Sequence, residues 1–175
     1  MKLIKSWVFF IFLLDSSFAF AQALTPVTLS YSISKTDYKA GDTLDFIINA
    51  KISEDWYLYS SEFLAEGPIK FECIAKKSNA FQQVGSLVAY QPFAHYDEVW
   101  EAEVKIFAGV AQFRLPIVVK KSGKIMFKAE IEGQACNDVC VPLHDAIEQD
   151  LSTLPYGGYI AADPSIYEPY EKHIK

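Results

Sequence analysis

The chain is short of the residues on which most chemistries rely. Its 175 residues hold three cysteines, three histidines and two methionines. The three histidines lack a matching serine or paired-carboxylate catalytic motif, so hydrolase chemistry has no support. Lysine and arginine number 16 against 22 aspartates and glutamates, a net charge of −6 with the cations scattered. Phosphate contacts need concentrated Lys and Arg, which excludes a nucleic-acid binder. After the first twenty residues no apolar run approaches the length that spans a bilayer. No segment sustains a helical period either; the nearest, residues 145–151, is too short to matter.

What is present starts with an address. Lys2 and Lys5 precede the apolar run WVFFIFLL (7–14), and AFA (19–21) forms a small-x-small cleavage signal. The run is too short for a membrane anchor and is ended by Asp15, Ser16 and Ser17. Residues 1–21 therefore read as a secretory signal peptide, cleaved before Gln22. Cleavage removes Lys2, Lys5 and Asp15, a net +1, and leaves −7 on one domain of about 154 residues. Export places the chain in an oxidising setting, where close cysteines tend to join.

From Thr25 to Leu151 the text reads as strands. VTLSYSIS (27–34), TLDFIINAKI (43–52), WYLYS (56–60), IKFECIA (69–75), VKIFAGV (104–110), AQFRLPIVVK (111–120) and KIMFKAEIEG (124–133) alternate at near period two, with KAGD, AEGP and KKSGK as turns between strands. Seven or more short strands spaced this way predict an all-β, immunoglobulin-like antiparallel β-sandwich over residues 22–151, with a barrel as the alternative. Residues 152–175 carry three prolines, two adjacent glycines and four tyrosines without a period. They read as a C-terminal tail, loose or lying on the surface, whose tyrosines could dock on the sandwich or on a partner.

The chemically distinctive stretch is GQACNDVCVPLHD (133–145). Residues four apart in an extended strand are roughly 13 Å apart, whereas a disulfide needs Cα atoms within about 7 Å, so bonding of Cys136 to Cys140 requires Asn137 to Val139 to turn. Asn and Asp suit such a turn. A five-residue loop gains only about 2 kcal/mol from closure, so the pair is a poor staple and is well placed for exchange. A third reading is a copper site, because a helical conformation would put Cys136, Cys140 and His144 on one face, although Pro142 disfavours that helix. The spacing leaves staple, metal site and exchange pair open.

The surrounding motifs resemble a known family, the N-terminal periplasmic domain of the thiol:disulfide interchange protein DsbD. In GQACNDVCVPL the residues Cys136, Asp138, Cys140 and Pro142 match that family's active-site segment. EDWYLYS (54–60) is similar to its aromatic strand, with Tyr57 and Tyr59 beside the cysteines. HYDEVWE (95–101) resembles the cap loop that covers the disulfide, with Asp97 and Glu98 as its acidic pair. The insert between the cysteines is shorter than the family's, and the shielding aromatic falls at Val99, which leaves that role to Trp100.

The resemblance implies an immunoglobulin-like module that works in the periplasm without a cofactor or metal. It would take electrons from a membrane-embedded reductant and pass them to exported thioredoxin-like thiol proteins. Cys140 is expected to form the mixed disulfide and Cys136 to resolve it. Asp97, Glu98 and Asp138 would raise a neighbouring thiol's pKa, since negative charge disfavours the thiolate. Tyr57 and Tyr59 could donate to a sulfur or to the cap carboxylates. Cys73 reads as a buried small hydrophobe and His95 as a solvated loop residue.

Overall fold

Alternating apolar and polar residues produce eleven strands among residues 24–160 and 165, the part of the chain that the computed structural model describes. The expected signal peptide lies outside these residues. The strands are β1 (Val27–Ile33), β2 (Thr43–Ile52), β3 (Tyr57–Tyr59), β4 (Glu72–Ala75), β5 (Phe81–Gln83), β6 (Val88–Ala89), β7 (Phe93–Asp97), β8 (Ala102–Ala108), β9 (Val110–Val119), β10 (Met126–Cys136) and β11 (Cys140–Asp150). All named strand pairs are antiparallel. One sheet runs β1–β2–β9–β5, with β6 also on β9; the other runs β11–β10–β3–β8–β7, with β4 also on β10. This is an antiparallel immunoglobulin-like sandwich. Among the described residues no helix is long and apolar enough to cross a membrane.

Aromatic rings hold the two sheets together. Phe46 of β2 stacks on Phe127 of β10 at 4.0 Å, and Phe113 of β9 stacks on Phe71 at 3.9 Å while meeting Phe107 of β8 edge-on. All five are fully buried or nearly so, and each such side chain contributes about 2–3 kcal/mol by leaving water. Gly133 makes room for one of them, since a Cβ there would stand 3.2 Å from the Phe71 ring. Cys73 is free and buried on β4, as expected, and burial pushes its thiol pKa up to about 12, which keeps it protonated and inert.

Three features depart from the sequence reading. β10 runs on past Gly133 to Cys136, and β11 occupies the stretch thought nearest to helical. β11 is an edge strand with one face on the core, so Val141, Leu143 and Ile147 suffice to seat it. Asp145 interrupts that apolar period and is accommodated because Tyr31 of β1 donates to its carboxylate at 2.9 Å across the open side of the sandwich. β7 is the third departure: it turns the supposed loop around His95 into a strand paired with β8, and His95 is buried there with its ring 5.9 Å from that of Tyr57.

Candidate functional site

The site lies on the outer face of the second sheet. Side chains alternate along β3, so Leu58 enters the main core while Tyr57 and Tyr59 point the other way. Tyr57 pairs with Cys136 across β3–β10, and Cys136 pairs with Cys140 across β10–β11, which puts these residues on one face. A second, smaller core forms there from Tyr59, Val104, Ile106 and Cys136, with Tyr57, Phe63, Ala65 and Phe93 packed against it.

The cysteines close the tip of the β10–β11 hairpin. Cys136 and Cys140 are disulfide-bonded with Cα atoms 4.2 Å apart, the short spacing of a directly opposed antiparallel pair. Asn137 makes the turn: its N–H donates to the Val139 carbonyl at 3.0 Å, and its side-chain oxygen accepts from the Val139 N–H at 3.0 Å. Asp138 and Val139 stand exposed at the tip. The two sulfurs differ sharply in access, for Cys136 is 0 % exposed and Cys140 is exposed.

The β7–β8 turn is tied down by Asp97. Its carboxylate is 2 % exposed and accepts from the Tyr59 hydroxyl at 2.5 Å, from Tyr57 at 3.5 Å and from the backbone N–H groups of Val99 and Trp100 at 2.9 and 3.2 Å. Burial, and then this bond to Asp97, push the Tyr59 hydroxyl well above its ordinary pKa, so it stays a donor. Glu101, with φ of 50°, closes the turn. The tyrosines therefore serve the cap carboxylate.

The hydrogen bond to sulfur comes from a residue that sequence reasoning passed over. Gln134 Nε2 donates to Cys136 Sγ at 3.3 Å, and its Oε1 accepts from the Ile69 N–H at 3.1 Å. β3 and β4 both pair with β10 but leave a gap opposite Gln134, and residues 61–70 fill it. That loop supplies Phe63 and Ala65 to the small core that includes Cys136, with the Phe63 ring 5.9 Å from that of Tyr59. Its one visible signal was an apolar Phe63 ahead of the AEGP turn.

The remaining expected residues are placed as follows. Val99 is 80 % exposed and points outward, so it is no shield. Trp100 lies on Gly67, where an added Cβ would sit 2.2 Å from the indole, and it joins the cap to the 61–70 loop. Glu98 is exposed on the same turn. His144 lies on the extended β11, so the helical face of two thiolates and an imidazole that copper would need is not formed.

A sandwich that holds a hairpin disulfide with one buried and one accessible sulfur has the architecture of a thiol:disulfide exchange module. The family model for the N-terminal domain of the thiol:disulfide interchange protein DsbD matches residues 26–151, and the chain belongs to that family. Among solved structures, the N-terminal periplasmic domain of ScsB from Proteus mirabilis shares the fold at 14 % identity and a TM-score of 0.50, with 74 % of this chain and 47 % of that one covered. The chain thus spans about half of that ScsB structure. The reduced DsbD N-terminal domain of Neisseria meningitidis also matches at 16 % identity and a TM-score of 0.45, with 73 % and 89 % covered. So does a complex between the DsbD and PilB N-terminal domains of Neisseria meningitidis, at 14 % and 0.49, with 73 % and 87 % covered. No curated protein sequence matches the chain.

Proposed function

We propose that this protein carries electron pairs between exported thiol proteins through Cys136 and Cys140. The observation that carries the reading is the asymmetry of the two sulfurs, one fully buried and one exposed within the same bond. A donor thiolate attacks Cys140 Sγ, the Cys136–Cys140 bond breaks, and Cys136 leaves with the electron pair and takes a proton. The donor's second thiolate then attacks its own sulfur in the mixed disulfide and releases Cys140. The donor dithiol has become a disulfide, and two electrons and two protons now sit on the cysteine pair. Delivery runs in reverse, with the Cys140 thiolate attacking the acceptor disulfide and Cys136 resolving the adduct.

The surroundings fit these roles. Gln134 donates to the sulfur that must leave, which stabilises charge developing on Cys136. Asp97 acts through the cap, holding the β7–β8 turn over the tyrosine face until a partner displaces it. Asp138, exposed between the two cysteines, puts negative charge beside the pair, which disfavours a thiolate there and keeps the reduced module quiet between encounters. Secretion through residues 1–21 into the periplasm, a membrane-embedded donor and thioredoxin-like acceptors complete the reading.

The test is a single turnover. The reduced mature protein is mixed with an equimolar oxidised thioredoxin-fold protein, quenched with a maleimide and mapped by mass spectrometry. Loss of label from Cys136 and Cys140, with matching gain on the acceptor within seconds, is the expected result. Full labelling of both cysteines after hours would contradict it.

A further inference from the structure

We propose that the outer face of the β1–β2–β9 sheet is a groove for an extended peptide, filled in cis by residues 154–160 acting as an exchangeable strap. The solvent face of an antiparallel sheet is ordinarily wet and polar. Here Ile47 is 0 % exposed, Arg114 7 %, and Ser32 and Gln112 are buried as well, although all four alternate with core residues of their strands. What covers them is the chain beyond residue 151, where the family match ends.

The strap winds round the free edge of β1. The Ile33 N–H donates to the Pro155 carbonyl at 3.0 Å, and the Gly157 N–H donates to the Ile33 carbonyl at 2.8 Å, forming a single parallel bridge between Ile33 and Tyr156. Gly157 then lies directly on the face, where a Cβ would stand 2.2 Å from Ser32 Oγ and 3.0 Å from Ile47 Cδ1. Gln112 Nε2 donates to the Gly158 carbonyl at 3.0 Å and to Asn49 at 2.9 Å. Tyr159 ends the strap with its ring 3.7 Å from the Arg114 guanidinium carbon and 4.6 Å from the Tyr90 ring. The groove thus selects an extended segment with glycine at the Ser32–Ile47 crossing and an aromatic two residues on, over a cation.

Its hold is that of a ligand more than of a strand. Two backbone hydrogen bonds to β1 replace a ladder, Tyr156 and Tyr159 remain mostly exposed, and Arg114 Nη2 is buried with no acceptor among the described residues. Arg114 is held from the other side by Asp45 at 3.1 Å and Gln112 at 3.2 Å, so the seat stays shaped when the ring leaves.

Two adjacent glycines provide the test in the full chain. Gly157→Ala meets Ser32 and Ile47, whereas a Cβ at Gly158 meets nothing within 4 Å. Gly157→Ala is expected to speed hydrogen exchange at the Ile33 amide about tenfold and lower Tm by about 3 °C, with Gly158→Ala close to wild type. Adding the synthetic peptide of residues 154–160 at about 5 mM, comparable with the effective concentration of a short tether, should restore Ile33 protection in Gly157→Ala. Tyr159→Ala, which creates no clash, should repeat the loss and the rescue if Gly157→Ala folds poorly. Equal behaviour of the two glycine variants overturns the strap, and loss without rescue by peptide overturns the groove.

Discussion

Cys136→Ser is expected to form a stable glutathione adduct on Cys140 when mixed with glutathione disulfide, and Cys140→Ser to react about a hundredfold more slowly, the factor an opening cost of ~3 kcal/mol imposes. The reason is access. Cys140 begins an edge strand and is exposed, while Cys136 is fully buried in the small core against which Tyr57, Phe63 and Ala65 pack, and is bonded by Gln134. Both variants lose dithiol turnover, because release of the mixed disulfide needs the second sulfur. Intact-mass kinetics read the two rates directly. Equal rates would mean that the burial of Cys136 does not order the chemistry.

Asp97→Ala is expected to lower stability by about 3 kcal/mol and to speed alkylation of Cys136 in the reduced protein, because Tyr57 and Tyr59 of its small core are the partners of Asp97. The carboxylate is buried and accepts from two tyrosines and two backbone amides, so its removal strands the Tyr59 hydroxyl and frees the turn. Tyr59→Phe removes one of those donors and should cost about half as much. Urea unfolding gives the first effect and alkylation kinetics the second. A variant within about 0.5 kcal/mol of wild type would show that Asp97 does not hold the cap.

Legibility in the sequence followed how far each residue's role is local. β2 reads from its own text because its alternation is its burial: Phe46, Ile48 and Ala50 face the core. β11 was hidden because an edge strand needs few apolar residues, and Asp145 breaks the pattern that Tyr31 repairs from another sheet. Asp97 stands out only through the resemblance of HYDEVWE to the family's cap loop, and nothing in its own segment shows that it is buried. Its burial depends on hydroxyls from a strand some forty positions earlier, which no local window contains. Gln134 and Phe63 were missed for the same reason, since the gap between β3 and β4 along β10 exists only once the sheet is assembled. The cysteine pair was legible because turn chemistry and disulfide reach are both properties of five consecutive residues.

Under the proposed function the Cys136–Cys140 bond is a working redox pair, since a loop this short contributes only about 2 kcal/mol as a staple to a sandwich already closed by its aromatic core. Equilibration of the mature protein in glutathione and dithiothreitol buffers, with the thiol state of the pair followed by alkylation and mass, measures that claim directly. A reduction potential near about −200 mV is predicted, and a value below about −300 mV, typical of structural disulfides, would contradict it.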